Sequence, residues 1–113
     1  MKQVDSIALA ELEAMSRNMY DELVKAVVDV ERRLLVVDAG LHADEEQYLL
    51  DHGSSQQDLW GVNLYPDCFG EDDFIEFDSM INIRPAQGNR SRSVEDEATQ
   101  ELIRQIIMEA VHG

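Results

Sequence analysis

The chain has 113 residues, with 24 acidic and 9 basic side chains and a formal charge of −15, so it lacks the basic face that nucleic acid or an anionic membrane would need. At 44% hydrophobic and 29% charged residues it is too apolar for a disordered acidic tail, and its length suits one domain over residues 1–113. The longest apolar runs, 7–10 and 34–37, hold four residues each, too few to span a bilayer; Asp5, Glu11 and Glu13 interrupt any export signal, and a lone Cys68 rules out an intrachain disulfide, so a cytoplasmic location is expected.

Residues 8–23 read as a helix, because Ala8, Leu12, Met15, Met19 and Leu23 fall on one helical stripe. Asp5 or Ser6 would cap it, and Lys2 to Val4 reads as a short extended lead-in. The β-branched runs 24–30 and 34–37 then form a hairpin around Glu31, Arg32 and Arg33. A two-residue loop pairs Val27 with Val36 and a three-residue loop pairs Val28 with Val36, so two registers stay open. Both strands are apolar on two faces and call for cover on each side or a subunit contact. Residues 43–51 read as a short helix, with Tyr48, Leu49 and Leu50 inward, His42 at its mouth and Gly53 as a left-handed cap.

Alternation is clearest in 60–65 and 74–84. Ile75, Phe77, Ser79, Ile81 and Ile83 alternate with Phe74, Glu76, Asp78, Met80, Asn82 and Arg84, as on the two faces of a long strand. Antiparallel pairing of Asn63 with Glu76, Leu64 with Ile75 and Val62 with Phe77 keeps like opposite like. Ser93 with Asp96 has capping-box spacing ahead of a final helix whose stripe is Val94, Ala98, Leu102, Ile103, Ile106, Ile107 and Ala110. The expected order is α-β-β-α-β-β-α, an α+β domain with a four-stranded, mainly antiparallel sheet.

Three groups carry candidate chemistry. On the polar face of the long strand, Glu76, Asp78, Asn82 and Arg84, with Asn63 beside them, mix with apolar side chains as in a partly covered pocket; a solvated face or a dimer contact would hold the same residues. Residues 79–94 contain no acid and three arginines, Arg84, Arg90 and Arg92, with Gln87, Gly88 and Asn89 between them. Guanidinium forks there suit a carboxylate or phosphate, or else the chain's own Glu76, Asp78, Glu95 and Asp96. Arg84 and at least one of Arg90 and Arg92 are expected to share a site near the start of the last helix. The third group, His42, Asp44, Glu45 and Cys68 with Asp67, Asp72 and Asp73, has no diagnostic metal spacing. No phosphate loop, dinucleotide fingerprint or nucleophile elbow is present, and no cofactor is expected.

Several runs together carry a family pattern: Leu41-His42-Ala43-Asp44, Gly53-Ser54, Gln56 and residues 58–66; then Phe74-Ile75-Glu76-Phe77-Asp78-Ser79-Met80-Ile81-Asn82-Ile83-Arg84-Pro85; then Gln87, Asn89-Arg90-Ser91-Arg92 and Val94-Glu95-Asp96. The chain resembles a family of small uncharacterised prokaryotic proteins in these residues. The resemblance implies a free-standing single domain, no assigned activity and no catalytic residue to carry over. It also implies a serine where this chain has Ala8, so that the first helix here lacks a cap.

The expected function is that of a binding or interaction protein, a homodimer that recognises a small anionic ligand. The expected binding residues are Asn63, Glu76, Asp78, Asn82, Arg84, Asn89, Arg90 and Arg92. The alternative is a small enzyme in which Glu76 or Asp78 acts as acid–base on an anionic substrate held by Arg84, Arg90 and Arg92.

Overall fold

Five antiparallel strands make one sheet in a computed structural model that describes residues 1–19 and 22–113. They are β1 (Lys2–Val4), β3 (Val24–Asp29), β4 (Leu34–Val37), β5 (Leu59–Leu64) and β6 (Ile75–Glu76), and they lie in the order β1-β4-β3-β5-β6. A separate parallel pair joins β2 (Ile7–Ala8) to β7 (Val111–His112). The helices are α1 (Leu9–Ser16), α2 (His42–Asp51) and α3 (Glu97–Ala110).

Period-two alternation divides the sheet between two cores. On one face Val24, Ala26, Val28, Leu35, Val37, Trp60, Val62 and Leu64 pack with Leu12 and Met15 of α1 and with Ile103, Ile106 and Ile107 of α3. On the other, Val27, Val36 and Leu59 meet Leu49 of α2, flanked by Tyr48, Leu50 and Ile81. The doubly apolar strands β3 and β4 are thus covered on each side by the chain itself. A symmetric dimer would have to use what stays exposed, chiefly Leu41, Met80, Ile83 and Met108.

The hairpin takes the Val27–Val36 register. Asp29, fully buried, fixes its turn: Oδ1 accepts the Glu31 and Arg32 N–H groups, each at 2.9 Å, and Oδ2 accepts Ser54 Oγ–H at 2.6 Å. Asp29→Ala strands all three donors and is expected to cost about 2–4 kcal/mol in urea unfolding; a change under about 0.5 kcal/mol would show that the turn holds without it.

The structure corrects several expectations. The sheet has five strands, because the lead-in 2–4 pairs with β4 as an edge strand. The helix expected over 8–23 ends at Ser16, whose hydroxyl turns back to the Glu13 carbonyl at 2.8 Å; successive turns follow, and Glu22 has φ +56°. Its expected passage through residues 20 and 21 lies outside the described residues. Neither Asp5 nor Ser6 caps α1: its N-cap is Ala8, which provides no side-chain hydrogen bond. The last helix is capped by Asp96, not Ser93: the Asp96 carboxylate accepts the Thr99 N–H at 2.9 Å and its Oγ–H at 2.7 Å.

The largest correction concerns residues 74–84. Ladder pairing is confined to Asn63–Glu76 and Leu64–Ile75, in the expected register, and the chain then leaves the strand. Phe77 still packs on the core that contains Val62, but Ile81 crosses to the α2 side in a 3-10 turn over Met80–Asn82. The Asn82 side chain takes the place of the missing strand. Its Oδ1 accepts the Gly61 N–H at 2.9 Å, and its Nδ2 donates to the Gly61 carbonyl at 3.0 Å. An amide side chain that presents both groups can satisfy an edge strand as a backbone would.

Candidate functional site

A cleft opens on the α2 face of the sheet, where β3 and β5 pair. Lys25 and Asn63 are direct cross-strand partners and point to the same face. The first turn of α2, from Leu41 to Ala43, forms one wall, and the segment 78–81 with Arg92 forms the other. The volume of this open cleft is about 220 Å³. Gly61 is what lets the second wall come down: a Cβ there would lie 2.6 Å from both Cβ and Oγ of Ser79.

His42 is buried at the base, with Nε2 at 2.8 Å from the Val62 carbonyl. A carbonyl can only accept, so Nε2 carries the proton. Burial is the main cause that lowers the His42 pKa, and Lys25 acts in the same sense; the Val62 carbonyl, Asp78 and Asn63 act against it. The ring is therefore neutral at physiological pH. Asn63, also buried, donates from Nδ2 to Glu76 Oε1 at 2.8 Å and to the Asp78 carbonyl at 3.3 Å. Asp78 is ion-paired with Arg92 Nε at 2.6 Å. Glu76 lies on the exposed side and also accepts the Tyr65 hydroxyl at 3.2 Å.

The arginine loop is a built scaffold. Arg84 and Asn89 close it as a backbone bridge around the 3-10 turn Pro85–Gln87 and Gly88, whose φ is +88°. Buried Asn89 sits at its hub, with Nδ2 near the carbonyls of Asn82, Ser91 and Ser93 at 2.9, 3.1 and 2.7 Å, and Oδ1 accepting the Glu95 N–H at 2.9 Å. Glu95 in turn accepts the Arg90 and Ser91 N–H groups, which hold its carboxyl below the usual range. Asn82 also donates to the Arg92 carbonyl at 2.9 Å. Asn82 and Asn89 are thus spent on architecture.

The three arginines do not share a site. The Arg84 guanidinium lies over the Trp60 ring at 4.1 Å and donates to the Gln56 carbonyl; Glu46 and Asp58 are the acids near it. Arg92 faces Asp78 in the cleft, and Arg90 is exposed. Of the expected residues, the cleft brings together Asn63, Asp78 and Arg92 and adds Lys25 and His42. Among the described residues, no three His, Cys, Asp or Glu side chains are grouped to hold a metal ion.

Glu45, which the sequence offered only as a candidate metal ligand, is a chemically unusual residue for a different reason. Glu45 on α2 is fully buried, with Oε2 accepting the Ala39 N–H at 3.2 Å and Oε1 without a hydrogen-bond partner. Burial pushes its pKa up to about 10, against the opposing pull of the Ala39 N–H, Lys25 and the N-terminal ammonium. The carboxyl is therefore protonated at neutral pH and does not cancel the charge of Lys25. The signal lay in spacing: His42, Glu45 and Leu49 stand three and four residues apart, on the helix face that is buried.

Neither a curated protein nor a solved structure matches the chain. Over residues 3–110 it fits the model of a family described as "Protein of unknown function (DUF5674)", and the chain belongs to that family.

Proposed function

We propose that the protein is a binding protein whose cleft between the first turn of α2 and the 78–81 segment receives a small anion. The observation that carries this reading is the charge of the cleft wall. In a chain of net charge −15, the described residues that line this cleft include two cations, Lys25 and Arg92, and a single acid, Asp78, which Arg92 already occupies. Lys25 makes no ion pair among the described residues, and its acidic neighbour Glu45 is neutral. The first turn of α2 adds backbone N–H groups that the helix itself leaves unclaimed. The enzyme reading has less support, because Arg84 is turned to Trp60 and Gln56, away from Asp78.

Thermal unfolding tests the proposal, with sodium acetate against sodium chloride at equal ionic strength. Acetate is expected to raise the midpoint by about 5 °C at roughly ten times its Kd, and Lys25→Met to abolish the rise. An equal response in the two proteins, or none in the wild type, would refute the Lys25 site.

A further inference from the structure

We infer that the ligand of this cleft is a small monocarboxylate with an apolar body, taken in preference to phosphate or sulfate. The inference rests on the anion reading above and adds the class of ligand.

Charge favours a monoanion. Among the described residues, Lys25 is the one uncompensated cation of the cleft, since Arg92 is committed to Asp78 at 2.6 Å and His42 is neutral. A single carboxylate matches a single ammonium. A phosphate, nearer two negative charges at neutral pH, would bring its surplus charge up against Asp78.

The rim favours an apolar body. Leu41 and Met80 are 60% and 64% exposed, among the most exposed large apolar side chains of the protein. Both flank the cleft, with half-buried Ile81 beside them. Apolar side chains left in water next to a cation suit an amphipathic ligand, its carboxylate toward Lys25 and its chain against the rim. The unbranched thioether of Met80 can adapt to chains of different shape. An inorganic anion gains nothing from this rim.

Size sets the length. A volume of about 220 Å³ holds roughly seven non-hydrogen atoms at the ~30 Å³ that each water occupies in the liquid. Butanoate and hexanoate bracket that count.

Calorimetric titration of the full chain with acetate, butanoate, hexanoate, hexanamide and inorganic phosphate tests the inference. Affinity is expected to rise about fourfold per methylene from acetate to hexanoate. Hexanamide should bind at least about tenfold more weakly than hexanoate. Met80→Ser should weaken hexanoate about tenfold more than it weakens acetate, and Lys25→Met should remove binding of the whole series. Equal affinity along the alkanoates, or phosphate as tight as hexanoate, would overturn the ligand class and leave the anion site standing. No heat with any anion, together with an unmoved midpoint in acetate, would overturn both.

Discussion

Glu45→Gln is expected to stabilise the protein by about 3 kcal/mol at pH 7, and by more at pH 9, with almost no effect at pH 4.5. The folded carboxyl has its pKa raised from 4.5 to about 10 by burial. Above pH 4.5 the unfolded chain releases this proton while the folded chain keeps it. The contribution of Glu45 is therefore fully present below the unfolded value and is lost as pH rises toward the folded one. Glutamine keeps the shape and an acceptor for the Ala39 N–H but has nothing to titrate. Urea unfolding of both proteins at three pH values isolates the effect, because every other titrating group is shared. A difference that stays constant with pH would show that Glu45 is ionised inside the fold. Such a result would also weaken the anion site, because an ionised Glu45 would offset the charge of Lys25.

Asn82→Ala should be the most damaging single change in the 78–95 segment, costing about 3–5 kcal/mol. Its amide closes the Gly61 edge at 2.9 and 3.0 Å and reaches the Arg92 carbonyl at 2.9 Å. Alanine leaves the Gly61 N–H and C=O buried and unpaired on the side of β5 away from β3, where the β6 ladder does not reach, and buried groups without partners carry the full desolvation cost. The wall that carries Asp78 and Arg92 should loosen with it. The readouts are urea unfolding and amide exchange at Gly61. Unchanged protection of that amide would show that another group fills the edge.

The sequence made the regular part of this fold legible and hid the part that makes the cleft. Period two in β3, β4 and β5 is strict, because each face is buried against a different core. Residues 74–84 keep the same alternation for a different reason. Phe77 belongs to one core and Ile81 to the other, with a turn between them, so the period there does not report a strand. The warnings were chemical: Ser79 and Asn82, both able to bond the backbone locally, and Gly61 opposite them, where a Cβ has no room. Asn63, Asp78 and Arg92 are among the residues expected from sequence to bind, and all three line the cleft. The sequence could not place Lys25, which reads as an ordinary polar residue in an apolar strand until its pairing with Asn63 is known. The shared arginine site failed because Trp60 and the Gln56 carbonyl draw Arg84 away.

The proposed anion site lies between the first turn of α2 and the 78–81 segment. Its most direct test is a two-dimensional amide NMR titration of the full chain with butanoate. Saturable shifts are expected, centred on Lys25, His42, Ala43, Asn63 and Ser79 and absent in Lys25→Met. Saturable shifts centred instead on the exposed Arg90 loop or around Cys68, or no saturable shift anywhere, would contradict it.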